Sequence, residues 1–170
     1  MDKKKILQIL IPVLIIVVIA GLYIQKNFLG KSNEIELSGT SMPLSGEYDL
    51  DGWLAEGKPV LIEFGTESCP FCAEMAVRLQ AMHEKYGDQI IIKNVDLNQV
   101  PDAGYDFPLS FVPAQFMFDA EGKPFVPTEE TAVKLQRHYL KGTTEHALTG
   151  HVGAIPDEPF EQLILEMIND

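Results

Sequence analysis

Val60-Leu61-Ile62-Glu63-Phe64-Gly65-Thr66-Glu67-Ser68-Cys69-Pro70-Phe71-Cys72 is the stretch on which the fold turns. Val60 to Phe64 is a short, almost wholly apolar run, the pattern of a buried strand. From Cys69 onward the pattern changes. Met75, Leu79 and Met82 recur at spacings of four and three, which predicts a helix over Cys69–Tyr86 with Gly87 as its stop. The two cysteines therefore sit where a strand runs into a helix. With two residues between them they can close a disulfide across the first helical turn. Free N–H groups and the positive end of the helix dipole favour a thiolate at Cys69. Its pKa should fall from about 8.5 toward neutrality. Pro70 suits the first helical position, where its missing N–H costs nothing. Cys69 is the expected exposed nucleophile, and Cys72, one turn on and more buried, the expected resolving thiol. Spacing alone also fits half of a zinc or copper site, or a structural disulfide.

Working outward, Tyr48–Glu56 predicts a short helix through Leu50, Trp53 and Leu54. Ile90–Val95 and Ala114–Phe118 predict two more strands, with irregular chain over Asn98–Ser110 between them. Asp119-Ala120-Glu121-Gly122 is a turn. Thr128–Lys141 predicts a helix, capped by Thr128 with Glu129 and Glu130 in its first turn. His146–Val152 is a final strand and Pro156–Asn169 an amphipathic helix presenting Phe160, Leu163, Ile164 and Met167. This alternation is an α/β pattern, and its continuously apolar strands imply a sheet covered on both faces.

Four segments then fall in order around the dithiol. They are Val60–Phe64, Asn94-Val95-Asp96, Val112-Pro113 before a strand, and Val152-Gly153-Ala154 before the last helix. Over roughly residues 48–122 and 148–170 the chain resembles thioredoxin. The resemblance implies an α/β thioredoxin-like fold, a central mixed sheet flanked by helices, and thiol–disulfide oxidoreductase activity. It implies a cis-proline at Pro113 facing the dithiol, with the backbone of Val112 pairing to an incoming peptide. It casts Glu63 as a buried acid that accepts the proton of Cys72. Gly153 would let backbone approach the site. Pro70 and Phe71 join Val112 as expected substrate contacts. No cofactor beyond the redox-active Cys69–Cys72 pair is implied, and no metal. The implied substrates are protein thiols and disulfides, among them the haem-site cysteines of exported apocytochromes. A reductase outside the cytoplasm would draw electrons from an integral-membrane dithiol carrier.

The chain departs from the family in places. Ser68 stands where tryptophan is common, Pro70-Phe71 replaces Gly-Pro, and Val77 replaces a helix-kinking proline. Glu67 and Glu74 flank the dithiol and oppose thiolate formation. That favours a reductant or exchange protein over a strong oxidant. A second class of function uses the same cysteines to hold and deliver a soft metal such as Cu(I). His138, His146 and His151 lack the spacing of a helical ligand pair and read as core or solvated residues.

The amino terminus adds a location. Residues 6–25 carry no charge over 20 positions. As a helix they would span about 30 Å, the thickness of a bilayer core. Lys3, Lys4 and Lys5 precede them, which places residues 1–5 in the cytoplasm and the rest outside. The expected organisation is a single-pass anchor at 6–25, a polar linker at 26–46, and a domain at 47–170 with an insert at about 123–149. A cleaved signal peptide, leaving a secreted domain, is the alternative. The insert is expected to add a helix at the sheet edge and to serve partner recognition.

The whole chain of 170 residues has a formal charge of −12. Five of its 13 basic residues and only Asp2 of its 25 acids precede residue 33, so residues 33–170 carry −16. A domain so acidic is repelled by anionic lipid and does not dock on nucleic acid. It is expected to be a monomer.

Overall fold

The computed structural model describes residues 40–127 and 131–170. The expected anchor at 6–25 lies outside them. Among the described residues no helix is long and apolar enough to cross a membrane.

Asp49 opens helix α1 (Leu50–Leu54) by accepting the Gly52 N–H at 3.0 Å, which turns Trp53 into the core. Strand β1 (Val60–Gly65) is buried at every position. Helix α2 (Pro70–Tyr86) carries the chain back so that β2 (Ile91–Asp96) lies parallel to β1. A parallel pair needs such a crossover. Asp96 then fastens the turn after β2, accepting the Asn98 N–H and the Gln99 side chain, each at 2.9 Å. A 3₁₀ helix at Pro101–Asp106 is all that forms in the irregular stretch. Strand β3 (Ala114–Phe118) runs antiparallel to β1, β5 (His146–Val152) antiparallel to β3, and helix α3 (Asp157–Asn169) closes the chain.

The result is a mixed five-stranded sheet in the order β2-β1-β3-β5-β4, where β4 is Gln136–Tyr139. Alternation along β1 divides the core. Val60, Ile62 and Phe64 pack with Trp53, Phe107 and Phe116 on one face. Ring centroids there lie 4.8 Å apart for Phe64–Phe107 and 4.5 Å for Phe107–Phe116. Leu61, Glu63 and Gly65 face the other way. Helices α2 and α3 are clasped by the Arg78–Asp157 and Lys85–Glu161 ion pairs and by the Tyr86 hydroxyl on Glu161 at 2.6 Å.

Two segments differ from expectation. Met42 and Ser45 fall in the stretch assigned to the linker, yet both are fastened down. Met42 N–H donates to the Ala76 carbonyl at 2.9 Å, and Ser45 bridges β2 at Val95. The expected helix at Thr128–Lys141 is not formed over 131–141. Residues 136–139 are instead the edge strand β4, antiparallel to β5. The cause lies just beyond, where Gly142 at φ +79° makes a tight return between Leu140 and Glu145. A hairpin to β5 gives this backbone its partners. The helix-like Thr128-Glu129-Glu130 start lies outside the described residues.

Candidate active site

The dithiol sits at the amino end of α2, as expected. Cys69 is the cap residue, in extended conformation, and its Sγ accepts the Cys72 N–H at 3.1 Å. Pro70 is the first helical residue. Cys69 and Cys72 are joined as a disulfide with Cα atoms 5.2 Å apart. Their exposures differ in the sense a nucleophile and a resolving thiol require. Cys69 is half-buried, whereas Cys72 is only 3% exposed.

Cys72 lies over β1. A β-carbon added to Gly65 would meet Cys72 Cβ at 3.3 Å and Sγ at 3.4 Å, a tight fit that places the resolving cysteine directly against the strand. Glu63 is two residues back on the same face, about 7 Å along the strand. Glu63 is wholly buried, and burial pushes its carboxyl up to about 8. A hydrogen bond from Gln115 and the charge of Arg78 work against that rise without cancelling it.

The opposite wall is the turn before β3. The Val112–Pro113 bond is cis. The Val112 carbonyl oxygen stands 3.7 Å from Cys69 Sγ. Gly153, at φ +114°, donates its N–H to the Pro113 carbonyl at 2.8 Å. The structure thus brings together Cys69, Cys72, Val112, Pro113 and Gly153, with Glu63 beneath. Pro70 and Phe71 are exposed beside the dithiol, Phe71 by 60%.

A family model described as thioredoxin matches residues 47–140. The chain belongs to the thioredoxin family. With its cysteine pair bonded at the helix start, this thioredoxin domain has the machinery of a thiol–disulfide oxidoreductase. The family match ends at 140, but β5 joins β3 to β4 in the sheet, and the turn from β5 to α3 supplies Gly153.

Sequence reading passed over two residues of this thioredoxin site. Gln115 is fully buried in β3, opposite Glu63 in register. Its signal was a lone amide in an otherwise apolar strand. Phe111, next to Val112, is 75% exposed. Its signal was an aromatic residue just ahead of the cis-proline turn. The histidines are spread about. His138 packs on Phe116, His146 Nε2 lies 3.0 Å from the Leu148 carbonyl, and His151 Nδ1 lies 3.1 Å from the Lys134 carbonyl. Among the described residues no group of three or more His, Cys, Asp or Glu is gathered to hold a metal.

Proposed function

We propose that this thioredoxin-family protein is a membrane-tethered, extracytoplasmic reductant of protein disulfides. One observation carries the chemistry: a half-buried Cys69 and a buried Cys72 at a helix start, with Cys69 facing the carbonyl that precedes Pro113.

In the reducing direction the Cys69 thiolate attacks a substrate disulfide and expels the first substrate thiolate. Glu63 takes the proton of Cys72 as Cys72 attacks the Cys69 sulfur of the mixed disulfide. The second substrate thiolate leaves, and the two electrons of the dithiol have passed to the substrate. Val112 offers backbone to an extended peptide, and Pro70, Phe71 and Phe111 give it apolar contact. Exported proteins, apocytochrome haem-site cysteines among them, are the proposed substrates. An integral-membrane dithiol carrier is the proposed electron donor.

The direction is supported by what surrounds Cys69: among the described residues no basic side chain is hydrogen-bonded to it, and its sulfur faces the Val112 carbonyl oxygen. The location is supported by the uncharged run at 6–25 behind Lys3–Lys5. The test is the reduction potential of the Cys69–Cys72 pair in the full chain, by equilibration with glutathione or dithiothreitol. A value near about −270 mV is expected, and one near about −120 mV would reverse the direction to disulfide formation.

A further inference from the structure

Gln115 places one side-chain amide between two acceptors. Its Nε2 donates to Glu63 Oε2 at 2.8 Å and to the Gly153 carbonyl at 3.2 Å. Both Gln115 and Glu63 are fully buried. The amide oxygen of Gln115, Oε1, and the second carboxyl oxygen of Glu63, Oε1, have no hydrogen-bond donor. The two acceptors are not alike. A carboxyl can accept or, once protonated, donate, whereas a backbone carbonyl can only accept. Gly153 therefore decides which way the amide points. Turning it over would set Gln115 Oε1 against the Gly153 carbonyl, two acceptors in a buried place. The NH₂ group stays on the Glu63 side whatever the charge on Glu63. Gly153 is itself held, because its N–H is bound to the Pro113 carbonyl.

We propose that Gln115 is a positioning residue for the proton transfer: pinned by the Gly153 carbonyl, it presents a fixed donor to Glu63 and so holds that acid, under the dithiol, toward its ionised, proton-accepting form. The inference rests on the reading of Glu63 as the acceptor for Cys72. Of the charged groups around it, Arg78 from α2 acts on Glu63. Asp157 at the start of α3 is paired with Arg78, His151 on β5 lies beside Gln115 in register with its ring on the Lys134 carbonyl, and β2 sets the neutral Asn94 opposite Glu63. Arg78 is already shared by Asp157 and Glu74, so Gln115 is the direct donor to the carboxylate.

The step is read by treating the reduced full chain, in mild detergent, with one equivalent of Ellman's reagent. The first thionitrobenzoate leaves as Cys69 forms the mixed disulfide, and the second leaves as Cys72 resolves it. Stopped-flow rates of the second release are taken across pH. In the native chain the profile should show an inflection that Glu63→Gln removes. Gln115→Met keeps the size and flexibility but offers no donor, and should move that inflection up by about one pH unit. Gln115→Lys supplies a charged donor and should move it down. General loosening of the fold would not shift the two variants in opposite directions. An inflection lost in Glu63→Gln but unmoved, or moved the same way, in both Gln115 variants overturns the inference alone. An inflection that survives Glu63→Gln overturns both the inference and the role of Glu63.

Discussion

Glu63 keeps a carboxyl where charge is costly, and the cost is visible in stability. Its folded value, about 8, lies above its ordinary value of 4.5. Between those limits the native state keeps a proton that the unfolded chain has lost. Stability therefore falls as pH rises through that window, by about 1.4 kcal/mol per unit from this group, and levels off above it. Glu63→Gln removes the charge and its burden. The variant should gain stability over the native chain as pH is raised from 5 to 8, with little difference at pH 4. Urea unfolding followed by the fluorescence of the single, buried Trp53 measures this. An equal gap at both ends of the range would mean that Glu63 ionises freely in the fold. The cysteines predict a different asymmetry. Cys69→Ser should abolish disulfide exchange, whereas Cys72→Ser should still attack substrates and accumulate mixed disulfides, seen as reducible adducts on a non-reducing gel. Similar adduct yields from both variants would remove the assigned roles.

At the scale of elements, α2 and the strands beside it were legible because each carries its own signal. The apolar run Val60–Phe64, the Met75, Leu79 and Met82 spacing and the Gly87 stop all act locally, and tertiary packing agrees with them. Val112-Pro113 and Gly153 were legible through resemblance, and they meet only because β3 and β5 pair. Strand β4 was not legible. Residues 136–139 are mostly exposed, so no apolar period marks them, and what makes them a strand is the edge that β5 offers. Gln115 was hidden for a related reason, since a polar residue in a strand reveals its partner only when the neighbouring strand is known. The β3–β5 seam is also closely packed. A β-carbon on Gly150 would meet the Phe116 ring at 2.8 Å and the Gln115 carbonyl at 3.1 Å. Gly150→Ala should therefore destabilise the fold by about 1–3 kcal/mol, since neither ring nor backbone can give freely. An unchanged urea midpoint would show that the seam between β3 and β5 is looser than its spacing.

For the whole molecule, charge and chemistry point the same way. The segment 6–25 is uncharged and preceded by three lysines, while residues 33–170 carry −16. A basic flank favours an orientation with that end inside, and an acidic domain is repelled by an anionic membrane surface. On the proposed location the dithiol would lie away from the cytoplasmic reductants, and its two cysteines would stay oxidised unless electrons were brought to them. That makes location testable through the cysteines themselves, which are the only two in the chain. In intact cells briefly treated with a mild reductant and then a membrane-impermeant maleimide, Cys69 should be labelled and Cys72, being buried, much less. Labelling that requires cell lysis would put the domain in the cytoplasm. A labelled product lacking residues 1–25 and recovered in the medium would mean a cleaved signal and a secreted domain. Retention of the full-length labelled chain in the membrane fraction is the expected result, and it would leave an electron carrier within the membrane as the partner to seek.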